Sequence, residues 1–256
     1  MLEICAIASG SNGNCYYIGN EKDAVLIDAG ISAKQIVMRM LERGLNPTKV
    51  KALFISHEHS DHMRGARGVN KKMNLPVYLT AKTYNSSYKN LQPDYPKYFV
   101  PGDEIEVGEF TIHTFIKNHD ASEPCSFRIQ YKNINVGVFT DIGEPCKNVM
   151  SHLKLCDGLF FETNYDVKML WDGSYPYFLK KRVDSELGHL SNDQAFNLLQ
   201  NHAGDNLKCV FLSHLSKENN TPETALKSML SLTSRFEIKL TSRYEAGEVF
   251  ILQGCQ

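Results

Sequence analysis

The chain has 256 residues, a length that one hydrophobic core can still serve, and it is expected to form a single domain over 1–256. With 42% hydrophobic and 22% charged residues, and no run near the roughly 20 apolar residues of a membrane span, neither a disordered chain nor a helical membrane protein is expected. A formal net charge of -1 gives no global field for a polyanion, so any nucleic-acid partner needs a local basic patch.

Leu2 to Ala8, Cys15 to Gly19 and Ala24 to Asp28 are short apolar runs divided by turn compositions, which predicts three consecutive antiparallel strands. Glu3 stands where a secretory signal needs basic residues, and the apolar run is too short to follow one. The cysteines (Cys5, Cys15, Cys125, Cys146, Cys156, Cys209, Cys255) are odd in number and never spaced Cys-x-x-Cys. That argues against a disulfide framework and a thiolate metal site, and a cytoplasmic protein is expected.

From Ser32 the spacing becomes helical through Ile36, Val37, Met40 and Leu41, and Gly44 stops it. Val50 to Ile55 reads as a buried strand that runs directly into Ser56 to His62. Beyond come a helix over Met63 to Met73, a strand over Pro76 to Leu79 and a polar helical or irregular stretch to about Leu91. Strands follow at Ile105–Val107, Phe110–Phe115, Ser126–Tyr131, Ile134–Thr140, Leu159–Phe161 and Lys208–Leu212, with helices at Ser191–His202 and Pro222–Leu232. Ser191 with Gln194 forms a capping-box pattern, and Pro222 suits a first helical turn. Strands first, then strands mixed with helices, fit two sheets between helices better than a doubly wound sheet.

His57-Glu58-His59-Ser60-Asp61-His62 places three imidazoles and two carboxylates in six residues at a strand end. A solvated polar loop is the plain alternative. In an extended loop His57 and His59 reach one ion, while Asp61 and His62, where the chain turns into a helix, face a second. Imidazole and carboxylate donors suit zinc and related divalent metals, and two ions about 3.5–4 Å apart are the usual clamp for phosphoester hydrolysis. His119, Asp141 and His214 each follow a predicted strand, the expected position for the remaining ligands, although one such histidine alone is more often a hydrogen-bonded loop residue.

Asp28, His57-x-His59-x-Asp61-His62, His119, Asp141 and His214, in that order, resemble the metallo-β-lactamase superfamily over almost the whole sequence. The resemblance implies an α/β (α+β) four-layer αββα sandwich, with two mostly antiparallel or mixed sheets between outer helices. It also implies two divalent ions, zinc first with manganese or iron as alternatives. His57, His59 and His119 would hold one, Asp61, His62 and His214 the other, Asp141 would bridge them, and Asp28 would order the loop.

The fold does not settle the reaction. Phe160-Phe161-Glu162-Thr163-Asn164 and Gly188-His189-Leu190-Ser191 resemble segments of the tRNA 3′-processing endonuclease branch, which implies that His189 donates a proton and Glu162 orients it. A plain loop histidine before a helix is the alternative. The chain departs from that branch in lacking a Gly/Pro-rich arm, and the stretch from Asp141 to His189 is too short for the inserted domain of larger RNA nucleases.

Asn164-Tyr165-Asp166, Tyr175-Pro176-Tyr177, Lys180-Lys181-Arg182 and Leu212-Ser213-His214-Leu215-Ser216-Lys217 are similar to the small bacterial YycJ/WalJ-type family. That implies a DNA nuclease, a 5′-to-3′ exonuclease linked to repair, in which a metal-bridging hydroxide attacks phosphorus and Asp61 helps orient it. Substrate contacts are expected from Ser11 and Asn12 in the glycine-rich turn, from Asn164, and from Lys180, Lys181 and Arg182. The last three follow Trp171, Tyr175, Tyr177 and Phe178, which either stack bases or pack beneath a loop. A thioester, lactone or lactam hydrolase, or a non-catalytic metal-stabilised nucleic-acid-binding protein, is the rival reading.

Overall fold

The computed structural model describes residues 1–254, so Cys255 lies outside it. The first apolar runs form β1 (Leu2–Ala8), β2 (Cys15–Gly19) and β3 (Ala24–Ile27), paired antiparallel in chain order as predicted. Helix α1 (Ala33–Glu42) begins at Ser32, whose hydroxyl accepts from Gln35 N while the Gln35 side chain reaches back. Strand β4 (Val50–Phe54) then lies parallel to β3.

The single helix predicted from Met63 is two, α2 (Ser60–Met63) and α3 (Ala66–Met73). The break falls where Gly65 N donates to Ala29 O at 2.6 Å, a bond to the loop after β3 that diverts the chain. Strand β5 (Val77–Leu79), helix α4 (Ala81–Ser86) and strand β6 (Pro96–Tyr98) extend the parallel side of this sheet.

The second half repeats the plan. Strands β7 (Glu104–Val107), β8 (Phe110–Ile116), β9 (Cys125–Tyr131) and β10 (Ile134–Phe139) make an antiparallel meander. Strands β11 (Gly158–Glu162), β12 (Cys209–Ser213) and β13 (Glu237–Leu240) add in parallel. The connections carry α5 (Lys147–Leu153), α6 (Val167–Asp172), α7 (Tyr177–Val183), α8 (Asn192–His202) and α9 (Pro222–Ser228). Strand β14 (Phe250–Leu252) returns to pair with β1, and the described strands form two seven-stranded sheets.

Period-two alternation explains the layers. Ile4, Tyr16, Ile27 and Phe54 of the first sheet meet Phe110, Phe127, Val136 and Phe160 of the second in the central core. The opposite faces are buried too: Tyr17, Leu26 and Leu53 under Ile36, Met40 and Val69 of α1 and α3, and Phe139, Leu159 and Leu212 under Leu153, Leu199 and Ala225 of α5, α8 and α9. Each large side chain so buried contributes about 1.5–3 kcal/mol. The predicted αββα sandwich of mixed sheets is the observed fold. No helix among the described residues is long and apolar enough to cross a membrane.

Candidate metal centre

Three non-glycine residues just past strand ends take left-handed backbone: Asp28 after β3 (φ 62), Asp141 after β10 (φ 55) and His214 after β12 (φ 57). The turn aims each side chain into the space between the two sheet ends. There Asp28 Oδ1 accepts from Ser56 N at 2.8 Å, and Oδ2 lies 2.7 Å from His62 Nδ1. Asp28 therefore ties the predicted loop to β3, as the resemblance implied.

Four histidines share one orientation. His57 Nδ1 meets Ser56 Oγ at 2.9 Å, His62 Nδ1 meets Asp28, His119 Nδ1 donates to Gly188 O at 3.1 Å, and His214 Nδ1 donates to Glu162 Oε1 at 2.8 Å. With Nδ1 engaged outward, Nε2 of each faces the common centre, as ligation through Nε2 requires. His59 is reversed, its Nδ1 lying 3.1 Å from His57 Nε2.

The donor atoms form four overlapping groups, each within 4.8 Å: His57, His59 and His119; Asp61, His62 and His214; His57, His62 and Asp141; and Asp141, Glu162, His189 and His214. Whether a cation fits there is answered by the unpaired atoms. His119 Nε2, Asp141 Oδ2 and His214 Nε2 are buried without a hydrogen-bond partner, and Asp141 Oδ2 stands 3.1 Å from His62 Nε2 without hydrogen-bond alignment. Buried polar atoms left so cost stability unless something binds them, and three converging nitrogen and carboxylate donors suit a borderline divalent metal.

Electrostatics divides the cluster in two. Burial holds the pKa of His57 well below its usual value and brings that of His119 down to about 3, so both are neutral with a lone pair available. Burial also disfavours charge on His214, but Asp141, Asp61 at 3.5 Å and Glu162 at 2.8 Å outweigh it and raise its pKa to about 10. His62 is raised likewise by Asp141, Asp28 and Asp61 against its burial. Metal entering this second half must displace protons.

Glu162 is fully buried and serves both halves of the site. Its Oε1 accepts from His189 Nδ1 at 2.9 Å and from His214 Nδ1 at 2.8 Å, while Oε2 accepts from Ile142 N at 2.7 Å and Leu190 N at 3.1 Å. Burial raises its pKa, yet His189 and the two imidazole hydrogen bonds bring it down to about 2. His189 stands at the rim with its side chain 22% exposed.

The remaining expected residues are dispersed. Ser11 and Asn12 are exposed in the turn after β1. Asn164 is buried and donates to His214 O at 2.7 Å, so its amide faces a histidine of the cluster. Lys180 Nζ donates to Trp171 O at 2.7 Å, and Lys181 lies over the Trp171 and Tyr177 rings at 5.5 and 5.9 Å. Arg182 pairs with Asp120 at 2.6 Å, and Asp120 in turn lies 3.4 Å from His119 Nε2.

Sequence reasoning passed over Asn14, whose Nδ2 lies 3.1 Å from His62 Nε2, and Lys117, a buried lysine that donates to Thr140 O at 2.5 Å. Asn14 is one of two asparagines in a small-residue turn and nothing local distinguishes it. Lys117, two residues before His119, had a usable signal in its place at the end of an apolar strand.

Comparison with known proteins agrees with this geometry. A family model described as the metallo-beta-lactamase superfamily matches residues 8–210. The chain is 34% identical over 231 residues to a Bacillus anthracis protein named exodeoxyribonuclease YycJ, covering 89% of this chain and 88% of that one. It is also 34% identical over 237 residues to exodeoxyribonuclease WalJ of Streptococcus pneumoniae, covering 91% and 88%. Among solved structures, the metallo-beta-lactamase fold protein YhfI from Bacillus subtilis superposes with a TM-score of 0.71 at 18% identity, covering 97% of this chain and all of that one.

Proposed function

We propose, from the premise that the chain belongs to the metallo-β-lactamase superfamily, that this hydrolase cleaves phosphodiesters with two metal ions and degrades DNA from a strand end in the 5′-to-3′ direction. The observation that carries the reading is the convergence of His119 Nε2, Asp141 Oδ2 and His214 Nε2, buried and unpaired, within two histidine-rich groups. His57, His59 and His119 would hold one ion, Asp61, His62 and His214 the other, and Asp141 would lie between them. Zinc is the first choice for these donors, with manganese or iron as alternatives. Bound there, the ions would supply an activated water and neutralise the charge developing on the phosphoryl oxygens.

The chain's own groups do the rest. Asp61 is positioned to orient the attacking water. Glu162 fixes His189 with Nδ1–H engaged, which leaves Nε2 at the rim to protonate the departing oxygen. Arg182, Lys181 and Lys180, beside Trp171 and Tyr177, supply phosphate contacts and ring faces for a strand. The names of the two relatives support DNA over RNA. A cytoplasmic setting accords with this, because the six described cysteines are free thiols.

The test is to incubate the protein, loaded with zinc or manganese, with end-labelled single- and double-stranded DNA and RNA. Metal-dependent shortening of DNA from the 5′ end is expected. His59→Ala and Asp141→Ala abolish it, while His189→Ala slows it with metal content retained. Full activity in metal-free His59→Ala protein refutes the reading.

A further inference from the structure

The largest cavity, about 660 Å³, is a poor seat for a polyanion, since Glu144, Asp184 and Glu186 face it with Lys181 as the one cation among the described residues that line it. A second cavity of about 190 Å³ has the opposite character. Its wall carries Lys217 and Arg243, the hydroxyls of Ser9, Ser216, Thr241 and Ser242, and no carboxylate among the described residues.

The hydroxyls there are set as donors. Ser216 Oγ accepts from Asn219 N and Ser242 Oγ from Tyr244 N, each at 3.2 Å, which leaves each hydroxyl proton for a ligand oxygen. Arg243 is half-buried, its Nη2 donates to Leu215 O, and its guanidinium lies across Gly10, where an added Cβ would stand 3.3 Å away. A partly desolvated guanidinium binds oxyanions more strongly than an exposed one.

The cavity also adjoins the metal cluster. Ser9 forms part of its wall and accepts from His214 N at 2.9 Å, and Leu215, the next residue after His214, forms another part. The turn that Arg243 covers continues to Asn14, which touches Asp61 and His62.

We infer that this cavity is a receptor for a terminal phosphomonoester, the group that marks the end of a nucleic-acid strand. The inference rests on the nuclease reading above. An enzyme that starts at ends needs a feature that internal linkages lack, and a terminal phosphate carries a charge near -2 where an internal diester carries -1. Two cations and two free hydroxyl donors beside the cluster recognise that difference. A strand whose last phosphate enters the cavity has its next linkage on the metal side of Ser9.

The experiment compares initial rates of the metal-loaded protein on one oligonucleotide bearing a 5′-phosphate, a 3′-phosphate or hydroxyls at both ends, with calorimetric titration of inorganic phosphate in parallel. One phosphorylated end is expected to be preferred by about tenfold or more, chiefly through KM, the size of one lost charged hydrogen bond. Arg243→Gln removes the preference, Arg243→Lys restores part of it, and circular dichroism and metal content verify that both variants fold. Equal rates on all three ends overturn the inference, as does a preference that survives both Arg243→Gln and Lys217→Gln. Should no DNA be cleaved, the nuclease reading fails, and titration decides the cavity alone: phosphate binding unchanged by Arg243→Gln overturns it. Phosphate binding as tight as that of a phosphorylated end means a free-anion site, which also overturns it.

Discussion

Glu162→Gln is the most informative single substitution, because one carboxylate holds both a ligand histidine and the proposed proton donor. The amide can satisfy Ile142 N and Leu190 N only by turning its oxygen toward them, the contacts now at 2.7 and 3.1 Å. Its NH₂ then faces His189 Nδ1 and His214 Nδ1, and donors cannot face donors. Both rings must shift their proton to Nε2, which removes the lone pair that His214 offers a metal. Two charge-assisted hydrogen bonds at about 1.5–3 kcal/mol each correspond to a fall in kcat of about 10²- to 10⁴-fold. The assay is hydrolysis of bis(p-nitrophenyl) phosphate and of end-labelled DNA, with metal content by emission spectrometry. Metal in the second half should fall along with activity, whereas His189→Ala keeps it. Activity within about threefold of the parent, with both ions retained, would refute the shared-carboxylate argument.

Two further outcomes follow from packing and charge elsewhere. Gly30→Ala sets a Cβ 1.7 Å from Asp61 O and 2.4 Å from Asn14 N, both backbone atoms, so the loop carrying His57 to His62 must move. A loss of about 3 kcal/mol or more in urea unfolding is expected, with loss of metal; a near-neutral effect would count against the close approach. His152 stacks on Phe115 at 4.0 Å and accepts from Arg128 Nε, and burial, Arg128 and His113 lower its pKa from 6.5 to about 4. Between those values the unfolded chain binds a proton that the folded protein refuses, so stability is intact above about 6.5 and falls as pH drops toward 4. After discounting for partial exposure the loss is about 1–2 kcal/mol. Urea midpoints measured across that window should fall less in His152→Phe, and an identical decline in both proteins would remove His152 as its source.

The sequence announced the cluster because strand and ligand signals coincide: apolar runs ending in His or Asp gave His57 to His62, His119, Asp141 and His214 before any coordinates. What it hid were contacts made across the chain. Nothing near Glu162 indicates that it reaches His214, a partner 52 residues away. The helix expected from Met63 was continuous in pattern because its break is caused by Ala29 O, a distant atom. Strands β6, β13 and β14 were missed for a different reason: they are short and lie at sheet edges, so partial exposure dilutes their alternation. Helices α6 and α7 are one or two turns with almost no buried residues, and read only as an aromatic and basic run.

The left-handed backbone at Asp28, Asp141 and His214 bears on how this protein can change. Each residue holds a conformation that disfavours a side chain by about 1 kcal/mol or more, and that glycine adopts freely. Selection for thermal stability alone would therefore drift toward glycine at all three strand ends, removing the carboxylates and imidazole that the turns present. The persistence of side chains there is the mark of selection for chemistry over stability, and a library screened only for heat resistance would erase the centre first.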